Sequence, residues 1–117
     1  MSKSIVEVMA ALGEKKIQEV ELLALVSYTS YEVVFYGTCN GKWMQSNEMV
    51  ECNAVEAVFM DTFYKEVAEA VRNDIRFNAT EMNIVKWHKN AELEFLQDEK
   101  TCRLYPIKKN WWQEVAN

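Results

Sequence analysis

The sequence predicts an α+β fold, a two-layer sandwich in which one long helix packs on a face of a mainly antiparallel sheet of about five to six strands, with a short N-terminal helix in addition. Three observations lead to this prediction. A long amphipathic pattern runs from Asn53 to Phe77, stretches of period-two alternation lie on both sides of it, and Asn40-Gly41 is a strong type I′ hairpin signal. Hairpins join antiparallel neighbours, so we expect the order α-β-β-β-α-β-β-β in a single domain, residues 1–117.

The N-terminal segment predicts a short helix. Ser4 and Glu7 form a capping-box signature, apolar residues follow at helical spacing, and Gly13 stands where a left-handed residue commonly ends a helix. From Val20 to Tyr28 the spacing changes to two. Because the middle of this segment is apolar at every position, we expect a central strand that is covered on both faces.

The Asn40-Gly41 dipeptide predicts a hairpin between two strands, Tyr31 to Thr38 and Lys42 to Gln45. Both central residues of a type I′ turn need a positive φ, and Asn-Gly adopts that conformation at low cost. The next segment, Ser46 to Cys52, either extends the second strand or leads loosely into the long helix.

The long helix is expected to start at Asn53, with Glu56 completing a second capping-box signature. It has about 22 residues and is roughly 33 Å long at 1.5 Å per residue. Apolar residues at intervals of three or four form one stripe that should face the sheet. The stripe consists of Val55, Val58, Phe59, Phe63, Val67, Val71 and Ile75.

Three more strands are predicted after the long helix, the last of them ending near a proline. The segments are residues 81–87, 91–96 and 101–107. The second segment alternates, so Leu93 and Phe95 should point inward while Glu92 and Glu94 point to solvent.

Charge and cysteine content restrict the class of protein. The net charge is −5, and residues 1–99 hold 17 acids against 9 bases. This balance disfavours direct binding to nucleic acid and favours a basic protein partner. The three cysteines contain no C-x-x-C pair, which is typical of a reduced, cytoplasmic protein. We also expect no membrane span, because no apolar run approaches ~20 residues.

Catalytic and metal-binding patterns are weak in this sequence. The one histidine, His88, has neither a nucleophile nor an orienting carboxylate near it in sequence, and we interpret it as a solvated turn residue. Zinc-ligand spacing and a phosphate-cradling glycine loop are missing. Pairs of glutamates offer a weaker alternative, a site for a hard divalent cation. We therefore predict no catalytic residues, no cofactor, no metal and no enzymatic activity.

Exposed carboxylates and the paired tryptophans are the best candidates for contact with a partner. Trp111 and Trp112 are adjacent, so a regular element cannot bury both in one direction. One of them is a candidate interface anchor, with plain core cover as the alternative. The candidate set is Glu92, Glu94, Asp98, Glu99, Glu66, Glu69, Trp111 and Trp112.

The layout of the chain carries a resemblance to a known group. With the aromatic strand Val33-Val34-Phe35-Tyr36, the Asn40-Gly41-Lys42 turn and an acidic helix from Glu56, it resembles the YezG-type antitoxin and immunity proteins of bacteria. The chain is also similar to the small acidic immunity proteins of contact-dependent growth inhibition systems. The resemblance implies a cytoplasmic monomer or weak dimer that binds and neutralises a toxin domain, often a basic nuclease.

Three other interpretations stay open at this point. One is a small-molecule-binding or regulatory α+β domain, with a ligand held between the sheet and the long helix. Another is an enzyme of unrecognised type, and the third is a subunit of a larger complex.

Overall fold

The computed structural model describes residues 3–88 and 93–96. This part of the chain contains three helices and five strands. In chain order they are α1 Ile5–Glu14, β1 Gln18–Val26, β2 Tyr31–Cys39, β3 Lys42–Gln45, α2 Ser46–Glu51, α3 Ala57–Arg72, β4 Asn83–His88 and β5 Glu94–Phe95. None of the described helices is long and apolar enough to cross a membrane.

The strands form one antiparallel sheet in the order β3-β2-β1-β4-β5. β1 is central, as its sequence predicts, with Leu22 opposite Phe35 of β2 and opposite Trp87 of β4. The register of β1 against β2 shifts between Gln18 and Glu21, which is typical of a β-bulge. The predicted α+β class and the antiparallel sheet are confirmed.

The helices pack on one face of this sheet. Leu22, Ala24 and Val26 of β1 point into the same buried core as the apolar faces of α1, α2 and α3. At its centre the ring of Phe35 meets the edge of the Phe63 ring from α3, with 5.2 Å between ring centroids. Edge-to-face pairs of this kind favour a fixed geometry, and both side chains are fully buried.

The other face of the sheet is apolar as well. Leu23 and Leu25 of β1 and Ile84 of β4 are buried there, with Val34 and Leu96 half-buried beside them. β1 is therefore buried on both faces, which explains why its middle residues are apolar without alternation.

Two local signals in the sequence form the structures they predict. The Ser4 hydroxyl accepts a hydrogen bond from the Glu7 amide at 3.3 Å and caps α1. In the turn between β2 and β3, Asn40 has φ 55° and Gly41 has φ 77°, the pair of positive values that a type I′ turn needs.

The predicted end of α1 is wrong. Gly13 lies inside the helix, and the left-handed residue is Lys16, with φ 62°. The amide of Lys16 donates to the carbonyl of Gly13, and the amide of Ile17 donates to that of Leu12, each at 3.0 Å. This is a Schellman motif, which accommodates lysine because the two hydrogen bonds fix its backbone.

The predicted start of the long helix is also wrong, because residues 46–51 form α2 instead of a strand or a loose connection. Asn53 has φ 62° and ends that helix. The amide of Ala54 donates to the carbonyl of Met49 at 2.9 Å, and the amide of Asn53 to that of Val50 at 3.0 Å. Asn53 therefore closes a second Schellman motif and is not the N-cap of α3.

The long helix α3 is shorter than predicted, with 16 residues and Glu56 as its N-cap. Two members of the predicted stripe consequently lie outside the core, although Val55, which precedes the helix, is buried in it. Val58, in the first turn, is 68% exposed, and Ile75, beyond the last turn, is 98% exposed. The middle of the stripe does face the sheet, and its buried members on α3 are Phe63, Val67 and Val71.

The last strands agree with the sequence where they are described. β4 begins at Asn83, two residues later than predicted, and His88 is its last residue instead of a turn residue. Leu93 is buried and Glu94 is exposed, as the alternation predicts. The predicted strand at residues 101–107 lies outside the described residues.

We predict that Lys16→Gly raises the free energy of unfolding by about 0.5–1 kcal/mol, because glycine adopts a positive φ without the steric cost that lysine meets. Urea unfolding followed by circular dichroism measures the change. The neighbouring Lys15, with φ −88°, provides the control, and Lys15→Gly should lower stability. Equal changes in the two variants would contradict the assigned helix end.

Candidate partner-binding surface

The structure describes three of the eight residues that the sequence proposes for partner binding, Glu66, Glu69 and Glu94. The other five lie outside the described residues. They are Glu92, Asp98, Glu99, Trp111 and Trp112.

The two helix acids, Glu66 and Glu69, are already paired within the protein. The carboxylate of Glu66 lies 3.0 Å from the Lys3 ammonium group, and the hydrogen bond between them raises the pKa of Lys3. Glu69 lies 3.7 Å from the guanidinium group of Arg72, one turn along α3. The charge of both acids is therefore partly neutralised. The sequence suggests the Glu69–Arg72 pair, whose members are three residues apart, but not the pair of Glu66 with Lys3, which is far away in the chain.

Glu94 differs from the helix acids because it is exposed and forms no ion pair with a described residue. It lies on β5, the edge strand of the described sheet, opposite Lys86 of β4. The next side chain, Phe95, packs against the core on the helix side and orients the strand. Glu94 therefore points to solvent from a fixed backbone.

Three of the described acids form ion pairs with described bases. The carboxylates that form ion pairs, those of Glu66, Glu69 and Asp74, belong to half-buried residues. The fully exposed acids are not within ion-pair distance of a described base. They are Glu7, Glu14, Glu19, Glu32, Glu48, Glu51, Glu56, Asp61, Glu81 and Glu94.

Arg72, the last residue of α3, anchors the turn between β1 and β2. Its Nε donates to the carbonyl of Ser27 at 3.0 Å, and its Nη2 donates to the carbonyl of Ser30 at 3.1 Å. The guanidinium carbon lies 5.7 Å from the centroid of the Tyr31 ring, within cation–π range. The two backbone carbonyls of the turn are thus satisfied from the helix.

Asn83, the first residue of β4, anchors the segment that precedes it and is fully buried. Its Nδ2 lies 3.1, 2.8 and 3.0 Å from the carbonyl oxygens of Val26, Asn78 and Glu81, which share its two N–H groups. Its Oδ1 accepts from the amide of Asn78 at 2.8 Å. One buried side chain therefore fastens the 78–82 turn to the end of β1.

Arg76 connects the segment after α3 to β5. Two of its nitrogens donate to the Asp74 carboxylate, each at 2.9 Å, and Nη1 donates to the carbonyl of Leu93, also at 2.9 Å. Its guanidinium carbon lies 4.6 Å from the centroid of the Phe95 ring. The hydrogen bond from Arg76 lowers the pKa of Asp74 below the ordinary value of 3.8.

These anchors bring residues 27–32 and 73–82 together at one end of the molecule, which we call the loop end. The described residues have six exposed large apolar side chains, and four of them are here. The four are Tyr28, Tyr31, Ile75 and Met82. Sequence reasoning missed this surface because it assigned these residues to strands or to the helix, although the Ser27–Ser30 stretch is a turn signal.

The described cysteines and acids do not converge on a metal. Within residues 3–88 and 93–96, no three His, Cys, Asp or Glu side chains are placed to hold a metal ion. Cys39 is buried, which raises the pKa of its thiol, and Cys52 is exposed; both are free thiols.

We predict that Asn83→Ala lowers the free energy of unfolding by about 2–4 kcal/mol, because several buried backbone groups lose their hydrogen-bond partner. Chemical denaturation measures the loss. Asn47→Ala, at an exposed position of α2, should change stability by about 0.5 kcal/mol or less. A similar loss in both variants would show that Asn83 is not an anchor.

We predict that the contribution of Asp74 to the free energy of unfolding decreases as the pH falls. Since its pKa is lower in the folded protein, its contribution to stability is present above the ordinary value of 3.8 and is lost as the pH falls through the folded pKa. Asp74→Asn should therefore be less stable than the wild type at pH 7 and equally stable at acid pH, as measured by urea unfolding. In an Arg76→Ala background this difference should disappear, and its persistence would exclude Arg76 as the cause.

Comparison with known proteins gives no relative for this chain: no protein-family model matches it, and neither curated proteins nor solved structures show a significant match.

Proposed function

We propose that this protein is an immunity protein that binds and neutralises a cognate bacterial toxin domain, a basic nuclease, through an acidic surface. The observation that carries the proposal is that Glu66, Glu69 and Asp74 form ion pairs, whereas the exposed acids form none with a base in the described part of the chain. The described residues contain 14 acids and 8 bases, so the negative excess lies in this part of the chain.

An exposed carboxylate without an internal partner is well suited to meet a basic protein. It gives up no intramolecular ion pair on binding, and its field acts on an approaching positive charge before contact. Such steering raises association rates, which an inhibitor of a toxin requires, since the toxin must be captured before it acts.

The edge strand β5 is the first candidate for the acidic contact. Glu94 is exposed there, and the sequence places Glu92, Asp98 and Glu99 within five residues of it. The helix acids Glu66 and Glu69 rank second, because Lys3 and Arg72 already partly neutralise them.

If the proposal is right, the gene directly upstream should encode the toxin domain, and coexpression of the two proteins tests the function. A bacterial host that produces this domain alone should stop growing, and production of the present protein should restore growth. Isothermal calorimetry on the purified pair should detect a stable complex. If growth is not restored and no complex forms, the proposal is wrong.

We predict that the double variant Glu92→Lys/Glu94→Lys associates with the toxin domain about tenfold more slowly than the wild type at low salt, because it lacks negative charge that attracts a basic partner. Stopped-flow fluorescence at rising ionic strength measures the rate, and the difference from the wild type should shrink as salt screens the charges. Glu51→Lys with Asp61→Lys changes the net charge equally and serves as the control. Equal slowing in both double variants would remove the β5 edge from the contact.

A further inference from the structure

The exposed apolar side chains are concentrated at the loop end. Tyr28 is 70% exposed and Ile75 is 98% exposed, with Tyr31 and Met82 each at 43%. Single exposed apolar residues are ordinary on protein surfaces, whereas a group of them marks a contact site for another protein.

The loop end is rigid because its backbone is held from inside. Arg72 bonds the carbonyls of Ser27 and Ser30, and Asn83 bonds those of Val26, Asn78 and Glu81. The Ser27 hydroxyl also accepts from the amide of Ser30 at 3.0 Å. A surface that is ordered before binding loses little conformational entropy when a partner docks.

The composition of the loop end is that of an interface centre. Tyrosine, methionine and arginine are enriched where proteins bind each other, and charged residues are moved to the rim. Here the two arginines form ion pairs, Arg72 with Glu69 and Arg76 with Asp74. The exposed charges that form no ion pair with a described residue are the carboxylates of Glu32 and Glu81.

The loop end is also continuous with the acidic edge of the sheet. Arg76 bonds Asp74 in the segment after α3 and the carbonyl of Leu93 at the start of β5. Glu94 is the next residue along β5. One partner can therefore contact the apolar loop end and the exposed Glu94 at the same time.

From these observations we propose that the loop end is the apolar centre of the toxin-binding surface, and that it docks into an apolar recess bordered by lysine or arginine side chains on the toxin domain. The rigid group of Tyr28, Ile75 and Met82 supplies the apolar contact. Glu32, Glu81 and Glu94 supply the surrounding negative charge. This inference rests on the proposed function and names the part of the surface that holds the partner.

Alanine substitutions at matched positions test the inference. Tyr28→Ala, Ile75→Ala and Met82→Ala remove apolar contact at the loop end, while Val6→Ala and Val58→Ala remove exposed apolar side chains from α1 and α3. Titration calorimetry with the upstream-encoded toxin domain gives Kd. At least two of the loop-end variants should weaken binding by about tenfold or more, and the two valine variants by about twofold or less.

Thermal unfolding of the same variants separates lost contact from lost structure. All five side chains are exposed, so the variants should unfold within a few degrees of the wild type. If the Kd of every loop-end variant stays within about twofold of the wild-type value, the inference is overturned and the proposed function still stands. A wild-type protein that does not bind the toxin domain would overturn both.

A second copy of this chain is the alternative occupant of the loop end. Sedimentation velocity of the wild type and of Tyr28→Ala distinguishes the two cases. Self-association that the substitution abolishes would overturn the inference, because the apolar surface would then be a dimer contact. A wild-type monomer at the concentrations used for calorimetry supports it.

Discussion

The burial of β1 on both of its faces is the constraint on which the rest of the structure depends. Leu22, Ala24 and Val26 enter the helix-side core, and Leu23 and Leu25 enter the cluster on the other face. A strand buried in this way needs neighbours on both edges, and β2 and β4 supply them in antiparallel pairing. The loop end follows from this arrangement, because the end of β1 and the beginnings of β2 and β4 lie side by side at the same end of the strands.

Two side chains hold the backbone of the loop end in place. Asn83 and Arg72 satisfy the carbonyls of the turns that meet there, so the backbone needs no water or partner at those positions. Of the apolar side chains in these turns, Phe77 packs against the core, whereas Tyr28, Ile75 and Met82 are exposed.

The charges are arranged on the same principle. Half-buried acids are held by Lys3, Arg72 and Arg76, which limits the cost of removing them from water. The exposed acids form no ion pair with a base among residues 3–88 and 93–96, and they contribute to the field around the protein more than to its stability. In the proposed function, the apolar loop end would slow dissociation of the toxin domain and the exposed acids would speed its association.

The amino-acid sequence by itself determined the features whose physics is local. The type I′ turn at Asn40-Gly41, the cap at Ser4 and the alternation of Leu93 and Glu94 depend on neighbouring residues, and the apolar run of β1 identifies a central strand. The ends of the helices are also set by local hydrogen bonds, but they were not identified from the sequence because the left-handed residues that close them are Lys16 and Asn53 and neither is a glycine. The candidate surface was decided by tertiary structure: the Lys3–Glu66 pair, the Arg72 and Asn83 anchors and the grouping of Tyr28 with Ile75 join segments that are distant in sequence, so only the packing of helix on sheet brings them together.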